Sequence, residues 1–226
     1  MKNNTTPEIK TASEIITFPE MLHETGSIGF LEKMYIGNLL YMTKPKLIIE
    51  TGLFKGYTHK YIVDFVTLNK IPGCRIVSFD LPEVVNRFKK TNSDYTKDGI
   101  SELIGGELPG SLRRFLEQTP EAIDFAVIDS DHSYRGVLND LNAIAPKLRA
   151  GGYIFCHDYR PFDKKYRGTS QAIDEFAINN GYDYLPLISE TDTVWGAALL
   201  RKPEKYRTRT KRHLKKVKFL LKRFIR

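Results

Sequence analysis

The sequence predicts an α/β fold: a Rossmann-like, doubly wound and mostly parallel sheet with helices on both faces. Three observations predict it. Short apolar runs of strand length alternate with helical patterns of ten to fifteen residues, as in βαβ units. The runs are near-continuous in hydrophobicity, the mark of strands covered on both faces. Four of them end in an acid, Glu50, Asp80, Asp129 and Asp158. Ligands of such sheets sit beyond the carboxyl ends of the strands, so these acids would gather along the ligand edge.

The elements follow in order. SIGFLEKMYIGNLLYMT (27–43) has apolar groups at helical spacing and predicts a helix ahead of the sheet. KLIIETG (46–52) predicts a buried strand, YTHKYIVDFVTLN (57–69) a helix and CRIVSFD (74–80) a second strand. Within 81–118, SELIGGELPGSLRRFLEQ predicts a short strand, a glycine turn and a helix. IDFAVIDSD (123–131) predicts a strand, YRGVLNDLNAIAPKL (134–148) a helix and GGYIFCHD (151–158) a strand. SQAIDEFAINNG (170–181) predicts a helix, and YDYLPLI with TVWGAALLRK a closing strand pair.

A chain of 226 residues with 41% apolar content can bury one substantial core. The polar start MKNNTTPEIKTASE has no signal-peptide pattern, and no apolar run reaches the length of a membrane span. A cytoplasmic protein is the expectation. Cys74 and Cys156 fall in predicted strands without metal-ligand spacing and predict reduced, buried thiols.

Charge is unevenly placed. From Arg201 onward thirteen Lys/Arg face one acid, Glu204, a net of +12; the chain's +8 therefore leaves −4 on residues 1–200. The mildly acidic body does not read as a nucleic-acid binder. These shifts divide the chain into an N-terminal helical segment (1–44), a ligand-binding domain (45–203) and a basic C-terminal helix (204–226).

ETGLFKGYT joins the first strand to its helix, with Gly52 and Gly56 letting the backbone turn tightly and approach a ligand. Its E-x-G-x-x-x-G pattern does not match the G-x-G-x-x-G cradle of a dinucleotide pyrophosphate. Thirty residues on, Asp80 can accept hydrogen bonds from both hydroxyls of a ribose. A ribosyl ligand without a pyrophosphate points to S-adenosylmethionine.

The segment IDSDHSYRGVLNDLNAIAPKLRAGGYIFCHDY carries a specific resemblance. Strand, D-x-D-H-x-Y, helix with an internal Asp, P-x-L-x-x-G-G, strand and H-D follow one another in order. Residues from about 45 to 201 resemble class I S-adenosylmethionine-dependent methyltransferases, nearest the group with small-molecule and sugar O-methyltransferases. The resemblance implies that Glu50, Gly52 and Gly56 face the methionine part of the cofactor and Asp80 its ribose. It places Gly106 and Glu107 near the adenine. It gives Asp129 to both cofactor and metal, and Asp129 with Asp158 to one Mg²⁺, which would lower the pKa of a substrate hydroxyl.

Asp131 matches the base position of the D-x-D form, with His132 as its rival. His157 stands where related metal-binding enzymes often carry an Asp, and is read as a second base or a substrate contact. Beside these stand structural readings. Asp131 or Ser133 can cap the following helix. Asp140, His23 and His59 read as structural or surface residues, and Tyr134 and Tyr159 as lining the pocket. Arg160, Lys164, Lys165 and Arg167 on the loop 157–169 are placed to hold an anionic substrate or to be a solvated face.

In the tail, Leu214, Val217, Leu220, Leu221, Phe224 and Ile225 cover about 140° of a helical wheel, with Lys and Arg opposite. Residues 205–226 thus predict a basic amphipathic helix that lies on an anionic membrane at the inner face. Packing on the body or on a second copy of the chain is the alternative. The expected activity is methyl transfer to a hydroxyl of a sugar, glycan-lipid or related small molecule, with Mg²⁺. The alternatives are a metal-independent methyltransferase with a His/Asp base, and a non-catalytic nucleotide-binding protein of the same fold.

Overall fold

The computed structural model describes residues 16–20, 28–96, 99–188 and 196–204. The predicted tail helix at 205–226 and His23 lie outside them.

Helix α1 (Phe30–Thr43) precedes strand β1 (Leu47–Thr51), helix α2 (Tyr57–Leu68) and strand β2 (Arg75–Asp80). Helix α3 (Pro82–Thr91), strand β3 (Ser101–Gly105), helix α4 (Gly110–Gln118) and strand β4 (Ile123–Ile128) follow. Helix α5 (Tyr134–Ile144), strand β5 (Leu148–His157), helix α6 (Arg167–Asn180), strand β6 (Asp183–Ile188) and strand β7 (Gly196–Arg201) complete the order. The strands form one sheet in the order β3-β2-β1-β4-β5-β7-β6, parallel except for β7, which runs antiparallel to both its neighbours.

The apolar runs became strands because the sheet is covered twice. Ile48, Ile76, Phe125, Val127 and Phe155 turn to the face packed by α1 and α2. Their neighbours Ile49, Val77, Ala126 and Ile154 turn to the face packed by α4, α5 and α6. Alternation of side chains then makes every position of a central strand buried, and β1 is buried throughout. On the first face α1 comes close to α2: Tyr61 donates to the Lys33 carbonyl at 2.6 Å, beside Gly37, where a β-carbon would meet that hydroxyl.

Helix α3 was not predicted. Pro82 at its start and the buried pair Val85 and Phe88 were its signals, diluted by polar neighbours. Helix α5 ends at Ile144 rather than 148, before Pro146, and the chain enters β5 at Leu148. Strand β4 ends at Ile128, which leaves Asp129–Asp131 in the loop beyond it.

The chain runs outward from β1 to β2 and β3, then returns to β4 on the other side of β1. The loops after β1 and β4 therefore separate at this point and leave a crevice at the carboxyl edge. Asp129 N–H bonds the Thr51 carbonyl (2.8 Å) and Gly52 N–H the Phe79 carbonyl (2.9 Å), tying these loops together at their roots.

Candidate active site

The glycine loop after β1 is shaped by its protein neighbours. Gly52 has φ +92° and Gly56 φ +75°, both in the region that side chains disfavour. A β-carbon on Gly52 would overlap the Asp129 carbonyl, and one on Gly56 the Phe88 ring. The loop therefore packs closely against the chain after β4 and against α3. Asp80 staples the loop: Oδ2 accepts the N–H groups of Leu53 and Phe54, each at 2.8 Å, and Oδ1 accepts Leu81 N–H at 2.7 Å. A carboxylate has about four acceptor sites, so Asp80 keeps room for a further donor. Gly106 N–H bonds the Asp80 carbonyl at 2.9 Å and brings the exposed Glu107 to the same edge.

Glu50 lies fully buried beneath the loop. Ser78 donates its hydroxyl to Glu50 Oε2, and His59 Nδ1 lies 2.7 Å from the same hydroxyl. His59 Nε2 lies 2.8 Å from Ser101 Oγ. His59 is therefore a structural histidine, joining β2 to β3 through two serines. Glu50 Oε1 is buried with no hydrogen-bond partner.

Beyond β4 and β5 the remaining polar groups converge. Asp129 Oδ1 lies 3.0 Å from His157 Nδ1 and 3.6 Å from His132 Nε2. Asp158 Oδ2 lies 3.2 Å from His132 Nε2 and 3.6 Å from His157 Nδ1. Two more residues join them: Arg160, expected to hold an anionic substrate or to be solvated, and Glu32, absent from the predicted site. Arg160 donates to Asp158 Oδ1 and lies over the Tyr166 ring, 4.2 Å from its centroid. Glu32 reaches in from α1, its Oε2 3.6 Å from His157 Nε2. Its signal in the sequence was a charged residue in an apolar helical stripe. Asp158 has φ +55°, a strained value for a non-glycine residue at the centre of a site.

Asp131 is occupied elsewhere. Its oxygens accept Ser133 N–H (2.8 Å) and Ser133 Oγ (2.9 Å), while Ser133 Oγ accepts Gly136 N–H (3.0 Å) and caps α5. This turn needs Gly136, whose β-carbon would overlap the Asp131 carboxylate. Asp140 is buried and accepts Ser130 Oγ at 2.6 Å; burial pushes its carboxyl above the ordinary range. A cavity of about 150 Å³ opens here, lined by Leu108, Pro109, Ser130, Asp131, Gly136 and Asn139. Tyr134 and Tyr159, expected to line the pocket, turn their hydroxyls instead to Glu175 (2.7 Å) and Asp174 (3.0 Å) of α6.

The charges set each other. Burial by itself would raise the Asp129 carboxyl, but the charge of His157 and contact with both imidazoles hold it down at about 2. Burial opposes charge on His157, yet Asp129 and Glu32 raise it well above the ordinary histidine value. Asp129, and then Asp158, raise His132 as well, against partial desolvation.

The residues fit a divalent cation. Asp129, His132 and Asp158 each offer a ligand atom, and the three atoms lie within 4.8 Å of one another. His157 and Arg160 orient the two carboxylates from behind, as outer-shell partners do at metal sites. Two carboxylate oxygens suit Mg²⁺, and the imidazole adds a donor that softer divalent ions prefer. The edge also suits a ribosyl ligand, with Asp80 able to accept one more hydrogen bond.

Comparison with known proteins gives this arrangement a context. Residues 49–159 match the model of a family described as a methyltransferase domain. The fold resembles an O-methyltransferase from Bacillus cereus in complex with SAH, at 14% identity and TM-score 0.66, over 79% of this chain and 84% of that one. It also resembles SAH-bound Podospora anserina methyltransferase PaMTH1, at 19% identity and TM-score 0.59, over 78% and 80%. CalS11, a TDP-rhamnose 3′-O-methyltransferase of calicheamicin biosynthesis, matches at 20% identity and TM-score 0.57, over 76% and 79%. In sequence, uncharacterized protein R132 of Acanthamoeba polyphaga mimivirus is 40% identical over 47 residues, a match spanning 21% of each protein.

Proposed function

Residues 49–159 match a methyltransferase domain, and from that premise we propose that the chain is a class I S-adenosylmethionine-dependent methyltransferase that methylates a hydroxyl of a sugar, glycan-lipid or related small molecule with the help of Mg²⁺. The convergence of Asp129, His132 and Asp158 beside the glycine loop carries this reading. CalS11, similar in fold, acts on a sugar nucleotide, which favours a sugar acceptor.

Asp80 and the glycine loop hold the ribose and methionine parts, and the cavity beside Leu108 and Ser130 takes the adenine. Bound S-adenosylmethionine supplies a methyl group on a sulfonium. Asp129 and Asp158 would hold Mg²⁺, with His132 left outside its ligands, and a bound divalent cation lowers the pKa of a hydroxyl on it. His132, whose side chain is 41% exposed, faces the open side of the cluster and would take the hydroxyl proton as the oxygen attacks the methyl carbon and the methyl–sulfur bond breaks, leaving S-adenosylhomocysteine. Asp131, turned into the α5 cap, is a weaker choice of base than sequence order made it. His157, 9% exposed between Asp129 and Glu32, orients Asp129 rather than meeting substrate.

A second reading needs no cation. Arg160 and His157 already set positive charge against Asp158 and Asp129, and His132 Nε2 sits 3.2 Å from Asp158, oriented as a base. Methyl transfer from S-adenosylmethionine to a panel of sugars and nucleotide sugars, in excess EDTA and after Mg²⁺ is restored, separates the two. The first requires loss and recovery of turnover; full turnover in EDTA leaves the second. Tight NAD binding with no S-adenosylhomocysteine binding in calorimetry would overturn both.

Peripheral membrane attachment through 205–226 belongs to the same proposal. Among the described residues no helix is long and apolar enough to cross a membrane. Strand β7 ends at Arg201, paired with Tyr153 toward the sheet edge opposite the site. The last described strand therefore ends away from the chemistry, and attachment through 205–226 need not block the crevice.

A further inference from the structure

We propose that Glu32 is a positioning residue of this centre: from α1, outside residues 49–159, it clamps His157 from the side opposite Asp129 and so fixes the Asp129 carboxylate. The inference rests on the site reading above.

Glu32 stands where the fold calls for an apolar side chain. At spacings of four along α1, Glu32, Ile36 and Leu40 are 5%, 0% and 0% exposed, a stripe directed at the core. A capping box explains the residue type only in part: Oε2 accepts Gly29 N–H at 2.6 Å. Capping does not require burial, since a carboxylate at this position caps as well from solvent. Nor does the cap satisfy the group, because Oε1 is buried with no hydrogen-bond partner. Burying a carboxylate this way is unfavourable unless opposite charge is near.

His157 is what the burial brings within reach. Its Nε2 is 3.6 Å from Glu32 Oε2 and its Nδ1 is 3.0 Å from Asp129 Oδ1. The two ring nitrogens lie on different edges, so carboxylates at both fix the plane of the imidazole. Asp129 is held in turn by that ring, and Asp129 is one of the three groups that offer ligand atoms to a common cation. The matched domain thus borrows a support for its centre from the helix that precedes it.

The test uses the full chain, with ¹⁵N-labelled histidine and calorimetry. Glu32→Gln keeps an oxygen for Gly29 N–H and removes the charge; Glu32→Asp keeps the charge and withdraws it, should the first variant not fold. The His157 ring-nitrogen resonances are expected to move in either variant while those of His59, held by Ser78 and Ser101, stay. Mg²⁺ affinity is expected to fall by about tenfold or more, the usual effect of losing an outer-shell partner. S-adenosylhomocysteine affinity should hold, since Glu32 is not placed at the cofactor. His157 resonances that superpose on the wild type overturn the clamp. Shifted resonances with unchanged Mg²⁺ affinity overturn its control of Asp129. If the wild-type chain binds no Mg²⁺, the cation reading fails by itself, and the histidine spectra alone decide the role of Glu32.

Discussion

Gly52 and Asp129 meet backbone to backbone: the space that a β-carbon on residue 52 would need is filled by the Asp129 carbonyl. The chain just past β1 and the chain just past β4 are thus in backbone contact where the site begins. Gly52→Ala would add this overlap to the cost of φ +92°. A side chain in the left-handed region alone costs about 1–2 kcal/mol. At ~2–4 °C per kcal/mol for a chain of this size, the melting temperature should drop by ~4 °C or more. S-adenosylhomocysteine binding should be lost with it. An alanine variant that melts and binds like the wild type would show that the loop is not constrained here.

Asp80 serves the loop before it serves a ligand. Asp80→Asn keeps one acceptor oxygen, while Asp80→Ala frees the N–H groups of Leu53, Phe54 and Leu81 together. Affinity for S-adenosylhomocysteine in calorimetry should rank wild type, then Asn, then Ala. Hydrogen bonds to a charged group contribute about 1.5–3 kcal/mol, so the loss to Ala should be on the order of tenfold to a hundredfold. Equal affinities for the three proteins would remove Asp80 from the cofactor site.

The Asp129–His157 contact makes stability depend on pH with a definite sign. His157 is raised above its ordinary 6.5, so its contribution is full below that value and is lost as pH rises through the raised one. Asp129 is lowered from 3.8 to about 2, so its contribution is full above 3.8 and is lost as pH falls through about 2. The pair therefore stabilises most between pH ~4 and ~6.5. Melting temperatures of wild type and His157→Gln should differ most in that window and converge on the alkaline side. A difference that stays constant from pH 4 to 9 would contradict the contact.

The tail gives a prediction independent of the site. Each Lys or Arg near an anionic surface contributes on the order of 1 kcal/mol. Truncation after Pro203 should abolish sedimentation with anionic vesicles and leave S-adenosylhomocysteine binding intact. Added salt should weaken attachment of the full chain, because it screens charge and leaves apolar burial untouched. Equal sedimentation of the truncated and full chains would refute the membrane role. Loss of folding on truncation would make the helix a packing element.

The sequence by itself determined the order of the strands and the edge at which the strand-end acids gather. Continuous apolar runs mark strands buried on both faces, and the acids closing β2, β4 and β5 stand at or just past the strand ends, where side chains leave the sheet together. The positions of Gly52, Asp80, Asp129 and Asp158 at that edge could be named because each follows from position in a βαβ unit, whereas Glu50 is buried against Ser78 and His59. Helix α3 escaped because its buried pair, Val85 and Phe88, sits among polar residues that dilute the pattern. Only the tertiary structure decided what each polar group faces. It turned Asp131 onto Ser133, the cap of α5, put Arg160 on Asp158 and brought Glu32 to His157. These are choices of direction and partner between side chains on separate elements. Periodicity carries no record of them, because a carboxylate at a strand end reads the same whether an arginine, a histidine or a ligand lies in front of it.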